Sequence, residues 1–156
     1  MKNLKIMFVC LGNICRSPMA EVIFKDMLAK DGITGVTVLS SATSYDEIYN
    51  GIGNPIYPPA ERELNKHGLT GGSKRATKLL KTDYDNYDLF IGMDDSNIKN
   101  MYAIFGGDKD GKVKKLLDYA GTGKSVSDPY FTNQFDVTYN DVYTGCLALK
   151  KALFGE

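Results

Sequence analysis

Apolar positions along the chain fall into two alternating patterns: short unbroken runs, and longer stretches at helical spacing. Lys5 to Cys10 is a compact apolar run bounded by Gly12, which predicts a buried strand. From Ser17 the apolar positions Met19, Val22, Ile23, Met27 and Leu28 recur at roughly helical spacing, and Gly32 supplies a stop. Val36 to Leu39 predicts a second strand, followed by a Ser40-Ser41-Ala42-Thr43 turn. Residues 44 to 59 hold three tyrosines, two glycines and three prolines, the composition of a surface loop long enough to line a site. Pro59 opens a predicted helix over Ala60 to Lys66, closed at Gly68, and Ser73 to Leu80 reads as one or two helical turns. Tyr87 to Met93 predicts a third strand. Asp94-Asp95-Ser96-Asn97 then caps a helix over Asn97 to Phe105. After the Gly106-to-Gly111 turn, Val113 to Leu117 predicts a fourth strand, and Ser127 to Phe131 a loop. The last helix runs from about Phe135 to Leu153, with Val137, Val142, Cys146, Leu149 and Leu153 on a common side.

Strands separated by helices predict an α/β fold: a single domain over residues 1–156, built on a four-stranded parallel sheet with helices on both faces. With 43% hydrophobic residues in 156, such a domain builds an ordinary core without metal or disulfide. Lys+Arg and Asp+Glu both number 19, which gives no support to nucleic-acid binding and points instead to a small anion or a modified side chain. Three cysteines, an odd number, do not form a disulfide framework. Met1 to Val9 lacks the features of a signal peptide, and no stretch has the length of a membrane span. A cytoplasmic protein is expected. Export by a route that leaves no such signal is compatible with the same sequence.

The richest stretch is Val9-Cys10-Leu11-Gly12-Asn13-Ile14-Cys15-Arg16-Ser17-Pro18. A strand, a tight loop and a helix in this order converge backbone N–H groups on one point, which makes an anion trap. A thiol held there is expected to ionise readily, and the same groups would hold a phosphate. Cys10 is therefore the candidate nucleophile, and Leu11 to Arg16 a phosphate-binding loop after the first strand. Arg16 suits a bidentate grip on two phosphoryl oxygens. A leaving group needs a proton, and Asp128, before Pro129 in a polar loop, is the best candidate acid. A metal pair from Cys10 and Cys15 lacks further ligands, since His67 is the only histidine. The loop also lacks the lysine-Ser/Thr ending of a nucleotide-binding loop.

These pieces resemble the low-molecular-weight protein tyrosine phosphatase family: Val9 to Pro18 is similar to its N-terminal signature, and Ser127 to Phe131 to its acid-bearing loop. The resemblance implies attack by Cys10, phosphoryl binding by Arg16 and proton transfer by Asp128, with no metal or organic cofactor. It implies that Asn13 holds the loop in a strained shape, that Ser17 hydrogen-bonds toward the nucleophile, and that Ser40 supports the same network. Asp94, Ser96 and Asn97 resemble a segment that supports the loop. Cys15 is the second loop cysteine of many members, able to form a reversible disulfide with an oxidised Cys10. Cys146 reads as core, and His67 as the end of a helix. Lys74 stands where several members carry histidine, and Thr77 where arginine is usual.

Substrate class turns on the pocket walls. By the same resemblance Ile14 forms one wall, Tyr130 and Phe131 the opposite one, and the 44 to 54 loop a rim to which Tyr45 or Tyr49 contributes an aromatic contact. The expected partner is a tyrosine-phosphorylated protein, with inorganic phosphate as product and a monomer or weak dimer as the working form. Protein arginine phosphatases, which usually place threonine where this chain has Ile14, are the neighbouring enzyme alternative. Arsenate reductases of this fold need further cysteines that residues 70 to 100 do not contain. A non-catalytic phosphate-dependent binding protein is a third reading, which the presence of an acid at Asp128 disfavours.

Overall fold

The computed structural model describes residues 3–155; residues 1, 2 and 156, which the expected domain also includes, lie outside the described residues. Strand β1 (Leu4–Cys10) leads through a tight loop into helix α1 (Arg16–Lys30) and back to β2 (Val36–Ala42). A short hairpin, β3 (Ile48–Tyr49) and β4 (Ile52–Gly53), precedes α2 (Pro58–Lys66). Strand β5 (Leu89–Gly92), helix α3 (Asp95–Phe105) and strand β6 (Val113–Lys115) follow. A short helix α4 (Pro129–Thr132) and the long α5 (Phe135–Phe154) complete the chain.

The main sheet has the order β2-β1-β5-β6 with every pairing parallel. Because side chains alternate across a strand, β1 feeds two cores. Ile6, Phe8 and Cys10 join the layer built with α1 and α5, whereas Met7 and Val9 face Met101 and Phe105 of α3. Both faces of the sheet are thus covered, the arrangement that parallel strands require. The chain leaves β1 toward β2 on one side and reaches β5 on the other. Cys10 therefore lies at the carboxyl end of the strand where the winding reverses, the usual ligand crevice of such sheets.

Several local expectations change. Ser40 to Ala42 extend β2 rather than forming a turn, because β1 pairs with them as far as Cys10↔Ala42. Within the 44–59 loop, Asn50 and Gly51 both have positive φ (53° and 77°) and close a two-residue hairpin, the geometry that Asn-Gly favours. Residues 73–80 are not helical. They run as an extended strap, bridged at Pro55↔Arg75 and Ala42↔Lys78, since those neighbours supply its backbone partners. Helix α3 starts at Asp95, two residues before the expected point. Asp94 caps it by accepting from Asn97 N at 2.8 Å, and Asn97 Oδ1 accepts from Asp94 N at 3.1 Å. Leu116 and Leu117 leave β6 for a 3-10 turn, Pro129 to Thr132 form α4 within the acid-bearing segment, and Val137 is exposed, apart from the buried side of α5.

Candidate active site

The β1–α1 loop wraps around the Cys10 sulfur. Asn13 N donates to Cys10 Sγ at 3.3 Å, and Ser17 Oγ lies 2.9 Å from the same atom. Asn13 has φ 60°, a left-handed conformation that costs a non-glycine residue about 1–2 kcal/mol. Its side chain, 1% exposed, holds it there with three bonds. Nδ2 donates to Ser17 Oγ at 2.8 Å and to Ser40 Oγ at 3.0 Å, while Oδ1 accepts from Thr77 N at 3.0 Å. Ser40 in turn donates to the buried carboxylate of Glu21 at 2.6 Å. Lys74 Nζ donates to Ser40 O at 2.9 Å and stands 3.8 Å from Glu21. Burial lowers the pKa of Lys74, with Glu21 pulling the other way. The first turn of α1 carries no acidic side chain, so its N-terminal charge is left for an anion.

Arg16, 4% exposed, spends both hydrogens of Nη1 on the protein: Asp94 Oδ2 at 2.7 Å and Val126 O at 3.0 Å. Its Nη2 stands 3.5 Å from Asp128 Oδ2. Burial works against the Arg16 charge, but Cys10, Asp94 and Asp128 outweigh it and push the pKa up. Burial likewise pushes the Asp94 carboxyl up. Hydrogen bonds from Arg16, Asn97 N and Ser96, together with the Arg16 charge, hold it below the usual carboxylate range. Asp128 caps α4, with Oδ1 accepting from Tyr130 N at 3.1 Å. Burial and the Cys10, Asp128 and Glu47 charges push Cys15 up to about 12 against the pull of Arg16.

A cavity of about 540 Å³ opens over Cys10, floored by Leu11 to Arg16 and bordered by Asp46, Glu47, Asn54 to Pro58, Asp128, Tyr130 and Phe131. Tyr130 and Phe131 are 75% and 80% exposed and form an open wall. Neither Tyr45 nor Tyr49 borders the cavity. Tyr45 lies under Lys78, 5.0 Å from its ring, and Tyr57 is the rim aromatic from that side. Tyr57 N donates to Ile14 O at 2.9 Å, which ties the start of α2 to the loop. The border is acidic: Asp46, Glu47 and Asp128 face the single guanidinium of Arg16 among the described lining residues. Among the described residues there is no group of three or more His, Cys, Asp or Glu that could hold a metal ion, and no helix is long and apolar enough to cross a membrane.

The structure brings Cys10, the loop from Leu11 to Cys15, Arg16, Ser17, Ser40, Asp94 and Asp128 into one site. Cys146 lies in the core, and His67 ends α2, stacked on Tyr139 at 3.7 Å. Three contributors escaped the sequence reading: Glu21 beneath Ser40, Asn54 clamping Glu47 at 2.8 Å, and Tyr57; Thr77, read there only as standing where arginine is usual, reaches Asn13 through its backbone N–H. The Asn-Gly turn is the sequence signal that could have found the Glu47–Asn54 hairpin.

A sequence model described as low molecular weight phosphotyrosine protein phosphatase matches residues 5–156. The chain is 37% identical over 147 residues to the low molecular weight protein-tyrosine-phosphatase YfkJ of Bacillus subtilis, covering 92% of this chain and 91% of that one. It is 39% identical over 142 residues to the low molecular weight protein-tyrosine-phosphatase PtpA of Staphylococcus haemolyticus, covering 90% and 88%. The crystal structure of YfkJ matches with a TM-score of 0.91 at 34% identity, across 98% of this chain and 96% of that one. A shared sequence over nearly its whole length and a shared fold place this chain in the low molecular weight protein-tyrosine-phosphatase family of hydrolases.

Proposed function

We propose that the protein hydrolyses phosphotyrosine monoesters through a phosphocysteine intermediate. The observation that carries this reading is the convergence of Cys10 Sγ, Arg16 and Asp128 on one cavity whose walls include Ile14, Tyr57, Tyr130 and Phe131. With Nη1 committed to Asp94 and Val126, Arg16 keeps Nε and Nη2 for two phosphoryl oxygens, and loop amides face the rest of the group. The Cys10 thiolate attacks phosphorus as the ester P–O bond breaks, and Asp128 gives its proton to the leaving phenol oxygen. Asp128 then takes a proton from a water that attacks the thiophosphate, which releases phosphate and restores the thiolate. Ser17 donates to the sulfur as it leaves. No cofactor enters these steps.

The experiment compares phosphate release from a phosphotyrosine peptide and a phosphoarginine peptide, without added metal and with Cys10→Ser as control. Turnover of phosphotyrosine, lost in Cys10→Ser, supports the reading. Preference for phosphoarginine favours the neighbouring activity, for which the acidic mouth of Asp46 and Glu47 is the specific observation, since a guanidinium would sit against it. Release from neither by the folded protein leaves a phosphate-dependent binding protein.

A further inference from the structure

Three successive peptide units leading to Asp128 are pinned from outside their own segment. Val126 N donates to Met93 O at 2.9 Å, at the end of β5. Val126 O accepts from Arg16 Nη1 at 3.0 Å. Ser127 O accepts from Thr138 Oγ1 at 3.1 Å. The Ser127 side chain takes no part, because its buried Oγ has no hydrogen-bond partner, so the hold is entirely through the backbone.

The last of these bonds bears directly on Asp128. The Ser127 carbonyl and the Asp128 N–H belong to one planar peptide unit, so fixing the oxygen fixes the plane from which the Asp128 side chain departs. Pro129 follows and restricts the Asp128 backbone from the other side. A helical threonine can turn its hydroxyl back to a carbonyl three or four residues earlier in its own helix. Here the backbone N–H of Thr138 already serves Gln134 O at 3.2 Å, and the fully buried hydroxyl reaches across to Ser127 instead. Asp141, one turn further along α5, faces the preceding 126–127 peptide: a backbone hydrogen bond from the Ser127 N–H lowers its carboxyl against the larger upward pull of burial.

We propose that Thr138 is a positioning residue for proton transfer, holding the 127–128 peptide so that Asp128 addresses the leaving oxygen. This rests on the reading of Asp128 as the general acid. Thr138 touches neither substrate nor the reacting atoms. Its effect therefore falls on the two proton transfers of Asp128, of which only the first depends on the leaving group, and leaves the phosphate cradle unchanged.

The test measures kcat and KM for phenyl phosphate, a poor leaving group, and p-nitrophenyl phosphate, a good one. Wild type, Thr138→Val, Thr138→Ser, Asp128→Ala and the Asp128→Ala/Thr138→Val pair are compared. Thr138→Val is expected to lose about ten- to a hundredfold in kcat/KM on phenyl phosphate, with a much smaller loss in kcat/KM on p-nitrophenyl phosphate. Thr138→Ser keeps the hydroxyl and recovers most of the loss. In the Asp128→Ala background, Thr138→Val adds no further leaving-group sensitivity. Equal losses on both esters, or added sensitivity without Asp128, overturn the proposal while leaving the acid role standing. Absence of leaving-group sensitivity in Asp128→Ala itself removes the acid role and the proposal with it. Should Thr138→Val lose its near-ultraviolet circular dichroism, Thr138→Ala is read in the same way.

Discussion

Ser17 Oγ stands 2.9 Å from Cys10 Sγ with its own direction of donation set from behind. Asn13 Nδ2 donates one hydrogen to Ser17 and the other to Ser40, and the Ser40 hydroxyl donates to the Glu21 carboxylate. Ser17 Oγ already accepts from Asn13, and a thiolate has no hydrogen to give, so toward an ionised Cys10 the Ser17 hydroxyl is the donor. A hydrogen bond to a charged group is worth about 1.5–3 kcal/mol.

Ser17→Ala is therefore expected to lower kcat about ten- to a hundredfold, with KM falling in step and kcat/KM little changed. The loss belongs to the step in which the thiolate leaves phosphorus, so rapid-mixing experiments with p-nitrophenyl phosphate should show a burst of nitrophenol followed by slow turnover. A slow first turnover with no burst would place the hydroxyl's effect elsewhere.

Asp94 ties the Arg16 guanidinium to the start of α3, and its pKa is held low in the folded protein. A carboxyl of this kind adds stability above its unfolded pKa and loses it as pH falls through the lower folded value. Asp94→Asn should cost about 1.5–3 kcal/mol at pH 7. The gap to wild type should hold down to about 3.8, the ordinary value, and close below it. Urea midpoints at pH 7, 5 and 3 check this; a gap of constant size across that range removes the ion pair as its cause.

The core of the site was legible because its chemistry is contiguous. Strand, left-handed Asn13 and helix start all lie within Val9 to Pro18, and Arg16 sits where the α1 N-terminus and loop amides meet. What escaped depends on partners distant in sequence. Glu21 lies among the polar positions of the first helix, where the apolar spacing carries no signal, yet it is buried and accepts from Ser40 of β2. Residues 73–80 carry no strand pattern of their own and are extended only because Asn54 and Ala42 take up their backbone groups. Strands of two residues, as in β3 and β4, are too short for alternation to register. The family resemblance assigns the rim to Tyr45 or Tyr49, whereas the Tyr57–Ile14 backbone bond brings Tyr57 to the cavity border instead.

The three free cysteines separate by environment. Burial and neighbouring negative charge hold Cys15 up to about 12, and burial pushes Cys146 further up. Cys10 lies on the cavity floor inside an anion-directed loop. Iodoacetate at neutral pH is expected to carboxymethylate Cys10 and to spare the other two, with inorganic phosphate slowing the reaction. Peptide mapping after partial modification decides it. Labelling of Cys15 at the rate of Cys10 would mean that the loop does not distinguish them.

Gly53 shows how far the loop's geometry reaches. A Cβ added there would stand 1.9 Å from the Ala76 carbonyl oxygen, a backbone atom that can move only with the strap. Around it, Arg75 Nη1 donates to Gly53 O at 2.9 Å and Ala76 N to Asn54 O at 2.9 Å. The next residue, Thr77, supplies the N–H that holds Asn13 Oδ1 at 3.0 Å. Gly53→Ala must therefore separate hairpin from strap and loosen one of the three bonds that keep Asn13 left-handed. Overpacking of this kind costs about 1–3 kcal/mol, which for a chain of this size lowers Tm by about 2–4 °C per kcal/mol. The more telling readout is kcat measured well below Tm, which should fall as well because the Asn13 N–H no longer meets Cys10 Sγ at its 3.3 Å spacing. A lowered Tm with unchanged kcat would show that the hairpin and strap support the fold without governing the loop.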